Sequence, residues 1–525
     1  MPIIQCTILN NEQPVKFAKE ELQKYAEMVP LHTHLSFVLG LDQDFVERGL
    51  LKQPIFQADS SIDAFQLMEK ECEIYILGSN PRSVLFGVYH ACKKLFGYKW
   101  VSFLSKEKAE CQTHRFEPAR IHSGLMKRRG LVVENHDDTA FLLKLIDWAG
   151  KHYINELFFT FMLWDKVRGT VEEEIVKRGL SITLGGHSMH YLLNGTALSQ
   201  KEQVDFTDDS WKSLIINKIK DYDTKESINR ISLWPADIGI EGEQHFLARY
   251  MEFTEQIQKQ LPEMEVEHIA YNAGLSWDML ELPDKLESSK TVNTLFAFWG
   301  RNYKQPFFKE ERAYEALQKW CHSAKANQMQ VTIFEYYSDH FMLGDLFPPL
   351  FYRVRDDMEL YSSLGIDNMV NLIVPYVPKE NANEKDNLYP WESLQLMNSY
   401  YFARTAWGDA FEDIEADFYS IFGKKQNEVK KVLSKMESVL SGVSKWNIPL
   451  FPQRLIDPEK MESDEKDRFV IADLKNCKKE IETLAGIPNQ KIDDPYTMIS
   501  FYVHYVREKL DEYLVKWNQK KECKR

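Results

Sequence analysis

The stretch Arg128–Trp164, RRGLVVENHDDTAFLLKLIDWAGKHYINELFFTFMLW, decides the fold. Gly130–Glu134 is a short apolar run of strand length. Ala140–His152 then places apolar residues at helical spacing, and Glu156–Phe161 returns to a strand. Strand, helix and strand in close succession make the unit that builds parallel sheets. The pattern continues with strands expected at Ser181–Leu184, Arg230–Trp234, Val266–Tyr271, Thr294–Trp299, Gln330–Tyr336 and Met369–Pro375. The intervening helices are clearest at Thr170–Arg178, Gln244–Gln260, Glu310–Lys325 and Phe351–Leu364. Eight such units in about 250 residues predict an α/β fold built on one (β/α)8 TIM barrel. An open doubly wound sheet would more often carry fewer strands and a Gly-rich first turn.

Working outward, the segment before the barrel reads as a small α/β domain. A helix is expected at Pro14–Val29 and strands at Leu35–Leu39, Ala64–Leu67 and Glu73–Leu77. An amphipathic helix follows, opened by Asn80 and Pro81 and closed by Gly97, and then a strand at Lys99–Phe103. This module has no phosphate loop and no Gly-rich nucleotide fingerprint. After the polar segment Pro378–Asn387 the pattern is helical, at Glu392–Trp407, Phe411–Ile421, Glu428–Val439, Glu459–Glu482 and Tyr502–Trp517. The expected domains are therefore 1–120, 121–380 for the barrel, and an α-helical domain over 381–525.

A chain of 525 residues exceeds what one hydrophobic core usually serves. With 79 acidic against 65 basic residues, the formal charge of −14 argues against nucleic acid and anionic membrane as partners. The basic tail Lys516–Arg525 reads as a solvated helix end. The start, MPIIQCTILNNEQ, lacks a basic leader, and the longest apolar run, Leu157–Trp164, is too short to span a bilayer. Seven scattered cysteines without a CxxC pair fit a reducing compartment, so a cytoplasmic protein is expected.

If the barrel reading holds, chemistry belongs at the C-terminal ends of its strands. Those ends supply Glu134, Asn135 and His136; Trp164 and Asp165; His187 and His190; Asp237 and Glu241. The later strands add Asn272 and Trp277; Trp299, Arg301 and Asn302; Glu335 and Asp339; and Tyr376. Carboxylates with aromatic neighbours suit cleavage of a glycosidic bond, where one group protonates the leaving oxygen and another attacks or activates water. Glu335, between Phe334 and Tyr336 in an apolar strand, is expensive to bury unless paired or used, and it is the expected nucleophile or base. Asp339 and Asp165 are its alternatives. Trp164, Trp277 and Trp299 are candidate sugar platforms. Asn272 and Tyr336 join the expected substrate contacts, and Arg301 with Lys304 could hold an acidic sugar's carboxylate. The Arg128–Arg129 pair opens strand 1 at the opposite end and is expected to be structural. His187, His190 and His136 raise the question of zinc, but no further ligand stands at a telling spacing, so neither metal nor cofactor is expected.

The runs DAFQLMEKECEIYILGSNPRSVLFGVYHACKKLFGYKWV, TLGGHSMHYLL, SLWPADIG and YYFARTAWGDAFEDIEADFYSIFG resemble a poorly characterised bacterial family. That family is related to the α-glucuronidases and, more distantly, to the β-N-acetylhexosaminidases. The resemblance spans most of the chain and implies an auxiliary α/β domain before a catalytic barrel, with a general acid just after strand 4. Asp237 holds that position. The relatives usually place glutamate there, which keeps Glu241 as a rival. The strand-3 run implies substrate hydrogen bonding by His187. A glycoside hydrolase acting on small oligosaccharides is the leading expectation. The departure at Asp237 keeps open a non-catalytic carbohydrate-binding protein, and a metal-dependent sugar isomerase or lyase is the third possibility. The aromatic-rich final helices admit a homodimer.

Overall fold

The computed structural model describes residues 4–29, 34–56, 62–70, 72–101, 120–134, 136–200, 204–223, 227–237, 245–272, 277–343, 346–374, 391–442, 464–484 and 495–523. The first sheet contains β1 (Ile4–Ile8), β2 (Leu35–Leu41), β3 (Ala64–Lys70), β4 (Glu73–Gly78) and β5 (Ile121–Ser123), in the order β1-β2-β4-β3-β5. β1, β2 and β4 run parallel, and β3 is antiparallel to both of its neighbours. The helix Pro81–Phe96 starts and stops as its sequence dictates. The Asn80 side chain accepts a hydrogen bond from the Ser83 amide, and Gly97 closes it in the left-handed conformation. Two short strands, β1 and β5, escaped the sequence pattern. The strand expected at Lys99–Phe103 is absent over residues 99–101, which are irregular, and its remainder lies outside the described residues.

Eight parallel strands then close into a barrel: β6 (Arg128–Val133), β7 (Glu156–Thr160), β8 (Ser181–Gly186), β9 (Arg230–Leu233), β10 (Glu265–Tyr271), β11 (Asn293–Ala297), β12 (Val331–Asp339) and β13 (Asn368–Val374). The fold is thus a (β/α)8 barrel with an additional N-terminal sheet and a helical C-terminal region. The helix expected at Thr170–Arg178 begins earlier, spanning Phe161–Val176 directly after β7. The helix Trp391–Trp407 packs on β12, β13 and β6, where an eighth barrel helix belongs. Asn398 on this helix donates to the carbonyls of Tyr337 and Pro348 and accepts from the Leu350 amide. Among the described residues, four further α-helices follow, Phe411–Ser420, Gln426–Leu440, Asp464–Glu482 and Pro495–Cys523. No described helix is long and apolar enough to cross a membrane.

Ion pairs seal the N-terminal end of the barrel. Arg128 points into the lumen and donates to both oxygens of Glu156, at 2.8 and 2.6 Å, to Glu267 at 2.6 Å and to Thr332 at 3.1 Å. Arg230 and Thr183 also donate to Glu156. Burial alone would raise Glu156, but Arg128 and Arg230 outweigh it and hold the carboxyl at about 2. The neighbouring Arg129 faces outward and donates to the fully buried Asp63, which precedes β3 of the first sheet and also accepts from Arg82, Asn80 and Asn155. Arg129 therefore ties the barrel to the segment that carries the first sheet.

Candidate active site

In a parallel barrel, lateral partners point the same way and alternate residues face the lumen and the helices in turn. Arg128 sets the phase. Gly130 and Val132 face inward with their partners Glu156 and Phe158, and Glu134, one step past the end of β6, keeps that phase. On β8 and β9 the inward positions lead to His187 and Trp234, and on β10 to Tyr271. The close approach of β8 to β9 requires glycine, since a Cβ on Gly185 would sit 1.7 Å from the Ser232 carbonyl oxygen. Gly186 adopts φ +68°, and a Cβ there would stand 2.9 Å from Thr160 and 3.8 Å from the Glu134 carboxyl.

These residues form one mouth. The Trp234 ring packs edge-on against Phe158 at 5.3 Å and Phe334 at 5.7 Å, and its Nε1 donates to Ser232 Oγ at 3.0 Å. The His187 ring stands 5.2 Å from Trp234 and 6.0 Å from Tyr271. His187 Nδ1 donates to the Pro235 carbonyl, and because a carbonyl only accepts, that nitrogen carries the proton. Asp237, half-buried just beyond Pro235, lies close enough to influence Glu134, Tyr271 and Tyr336. Its rival Glu241 lies outside the described residues.

The phase of β12 corrects the expectation for Glu335. Phe334 pairs with the inward Val370, so Glu335, opposite Asn371, faces the helix layer. There it accepts hydrogen bonds from Arg301 at 2.5 Å, Tyr303 at 2.8 Å and Tyr361 at 2.5 Å, while Arg301 also donates to Asp357 at 2.9 Å. Burial raises Glu335, Arg301 opposes the rise, and Asp357 adds to it. A β-bulge between Glu335 and Ser338 then shifts the register. Tyr336 turns to the lumen beside Phe334 at 4.9 Å, and Tyr337 reaches outward to Asp357 at 3.0 Å. Asp339 pairs with Val374, an inward position, and so joins the mouth.

The other expected contacts divide the same way. Arg301 is held among Glu335, Asp357 and Tyr361 and is turned from the lumen. Trp164 is fully buried on the helix Phe161–Val176, against Phe159. On the same helix, Asp165 accepts from Tyr191 and Tyr222, both at 2.6 Å, anchoring the segments after β8. Asn272 clamps strand ends, its side chain bonded to both the amide and the carbonyl of Trp299. Trp299 itself is half-buried, and the Trp277 ring carries the Arg312 guanidinium 4.1 Å from its centre. His187, Asp237, Tyr336 and Asp339 are thus brought together; Glu335, Arg301, Trp164 and Asp165 are not. Glu134, Trp234 and Tyr271 complete the mouth. Counting alternate residues from Arg128 would have singled out Glu134.

Burial raises Glu134, with His187 opposing and Asp339 and Asp237 reinforcing the rise. Burial also lifts the Tyr271 and Tyr336 hydroxyls well above their usual range, and the surrounding carboxylates add to it. Among the described residues no group of three histidine, cysteine, aspartate or glutamate side chains could hold a metal ion.

No family model and no curated protein sequence matches the chain. Solved structures do. An enzyme of glycoside hydrolase family 138, targeting pectin rhamnogalacturonan II, is similar with TM-score 0.60 at 11% identity, over 98% of this chain and 69% of that one. A family 115 4-O-methyl-α-glucuronidase with specificity for decorated arabinogalactans gives 0.58 at 12%, over 97% and 72%. The family 84 protein CpGH84D gives 0.50 at 11%, over 98% and 89%. The chain is built on a scaffold that glycoside hydrolases use. At these identities the likeness concerns the fold.

Proposed function

We propose that this protein hydrolyses O-glycosidic bonds of small oligosaccharides or glycosides in the barrel mouth. One observation carries the reading: three carboxyls from three separate strand ends, Glu134, Asp237 and Asp339, share one lumen with Trp234, Tyr271 and Tyr336. Oxocarbenium chemistry needs carboxyls on either side of the sugar and apolar faces against its C–H surfaces. Asp237 is the proton donor, and Asp339 takes the role of nucleophile or general base that the sequence pointed to in Glu335. His187, with Nδ1 tied to Pro235, offers Nε2 to a sugar hydroxyl.

A panel of nitrophenyl glycosides and small oligosaccharides tests this. The native protein should release sugar, Asp237→Asn and Asp339→Asn should not, and Glu335→Gln should retain activity. Silence across the panel, with sugar binding still visible by calorimetry, would replace hydrolysis with carbohydrate binding.

A further inference from the structure

We propose that Glu134 determines specificity in this mouth: it hydrogen-bonds a hydroxyl of an uncharged sugar and, with Asp237 and Asp339, excludes a uronic acid from the same place. The assignment rests on the glycosidase reading and deepens it. Its first support is position. Glu134 directly follows β6 and keeps its inward phase, and Gly186, having no side chain, leaves open the space in front of its carboxyl. Its second support is the absence of a partner. The carboxyls of Glu156, Glu335 and Asp357 are each held by several donors, whereas no hydrogen-bond donor among the described residues meets Glu134. A half-buried carboxyl that no described donor meets is available to a ligand that supplies the bond.

The charge around Glu134 names the ligand class. The groups acting on it are His187 from the end of β8, Asp237 beyond β9 and Asp339 from β12. With Tyr271 and Tyr336 they gather, among the described residues, three carboxyls, two phenols and one imidazole at the mouth. Among the described residues, the arginine best placed in sequence to meet an acidic sugar, Arg301, is not turned toward the mouth but is fastened among Glu335, Asp357 and Tyr361 on the outer side of the strands. A sugar carboxylate entering here would meet like charges at short range, whereas hydroxyls can both donate and accept. Burial favours the protonated form of Glu134, which can donate as well as accept.

Calorimetry with glucose, galactose and N-acetylglucosamine against glucuronic and galacturonic acids, on the full chain, gives the test. At least one neutral sugar should bind about tenfold more tightly than either acid, and Glu134→Ala should weaken that binding by about tenfold. Glu134→Gln keeps a donor and an acceptor and should stay within about threefold of the native protein for the neutral sugar. Discrimination against the acids should sharpen as pH rises and Glu134 ionises beside Asp237, Asp339, Tyr271, Tyr336 and His187. Glu134→Gln should flatten that dependence, which a merely structural role would not do. Preference for an acid, unchanged neutral-sugar binding in Glu134→Ala, or no binding of any sugar overturns the assignment. If neutral sugars bind through Glu134 but the native protein cleaves no glycoside, the hydrolytic reading falls and this one stands.

Discussion

At the base of the barrel Glu156 accepts hydrogen bonds from Arg128, Arg230 and Thr183, whereas at the mouth Glu134 accepts none from any described residue. The same side chain is therefore held at about 2 at one end and raised at the other. The difference lies in the partners. At the base the buried Glu156 and Glu267 face the Arg128 guanidinium; at the mouth, Glu134 has the Asp237 and Asp339 carboxyls and the His187 imidazole near it. Barrels keep catalysis at the C-terminal end of the strands and stability at the other, and the charge arrangement here follows that division.

Substitutions at the two ends should fail in different ways. The largest effect is expected at the mouth: Asp237→Asn and Asp339→Asn should each lower kcat by about 10²–10⁴-fold while the melting temperature stays near that of the native protein. A loss of folding with either variant would blur the division. At the base, Arg128→Met leaves Glu156 and Glu267 buried without their main partner and should reduce stability by about 3–5 kcal/mol in urea titration. Unchanged stability there would show that the ion pairs only fill space.

Acid should separate the ends next. The folded value of Glu156, about 2, lies below the ordinary glutamate value of about 4.3. Its contribution, about 3 kcal/mol, is complete above that ordinary value and disappears as pH falls through about 2. Glu134 is raised instead, so its ionisation with rising pH reduces stability. Urea midpoints of Glu156→Gln and Glu134→Gln against pH should deviate from the native curve in opposite directions.

The smallest effect is expected for Glu335→Gln, which retains neutral hydrogen bonding to Tyr303 and Tyr361 but weakens the pair with Arg301. It should cost about 1–2 kcal/mol of stability and leave turnover within about twofold. A collapse of kcat without loss of stability would return Glu335 to the chemistry.

Much of this architecture is legible in the chain. Gly130–Glu134, Glu156–Phe161 and the six later runs all fall on barrel strands, because short apolar runs between helical stretches have few other uses. Asn80 and Gly97 mark the ends of their helix through local backbone chemistry alone. The site was only partly readable. Asp237 and His187 follow ends of strands that are regular, so their place at the mouth could be read from the sequence order.

What the sequence by itself determined is therefore the order of elements, the eight-strand barrel and the rim on which chemistry could lie. These follow from periodicity and capping, which act over a few residues. Which carboxyl of TIFEYYSDH faces the lumen was decided only by tertiary structure. The bulge in β12 exists through its register with β13, with Asn371 opposite Glu335 and Val374 opposite Asp339. A one-residue change of phase moves every later side chain to the other face, and no local pattern in β12 reports the partner strand that sets it.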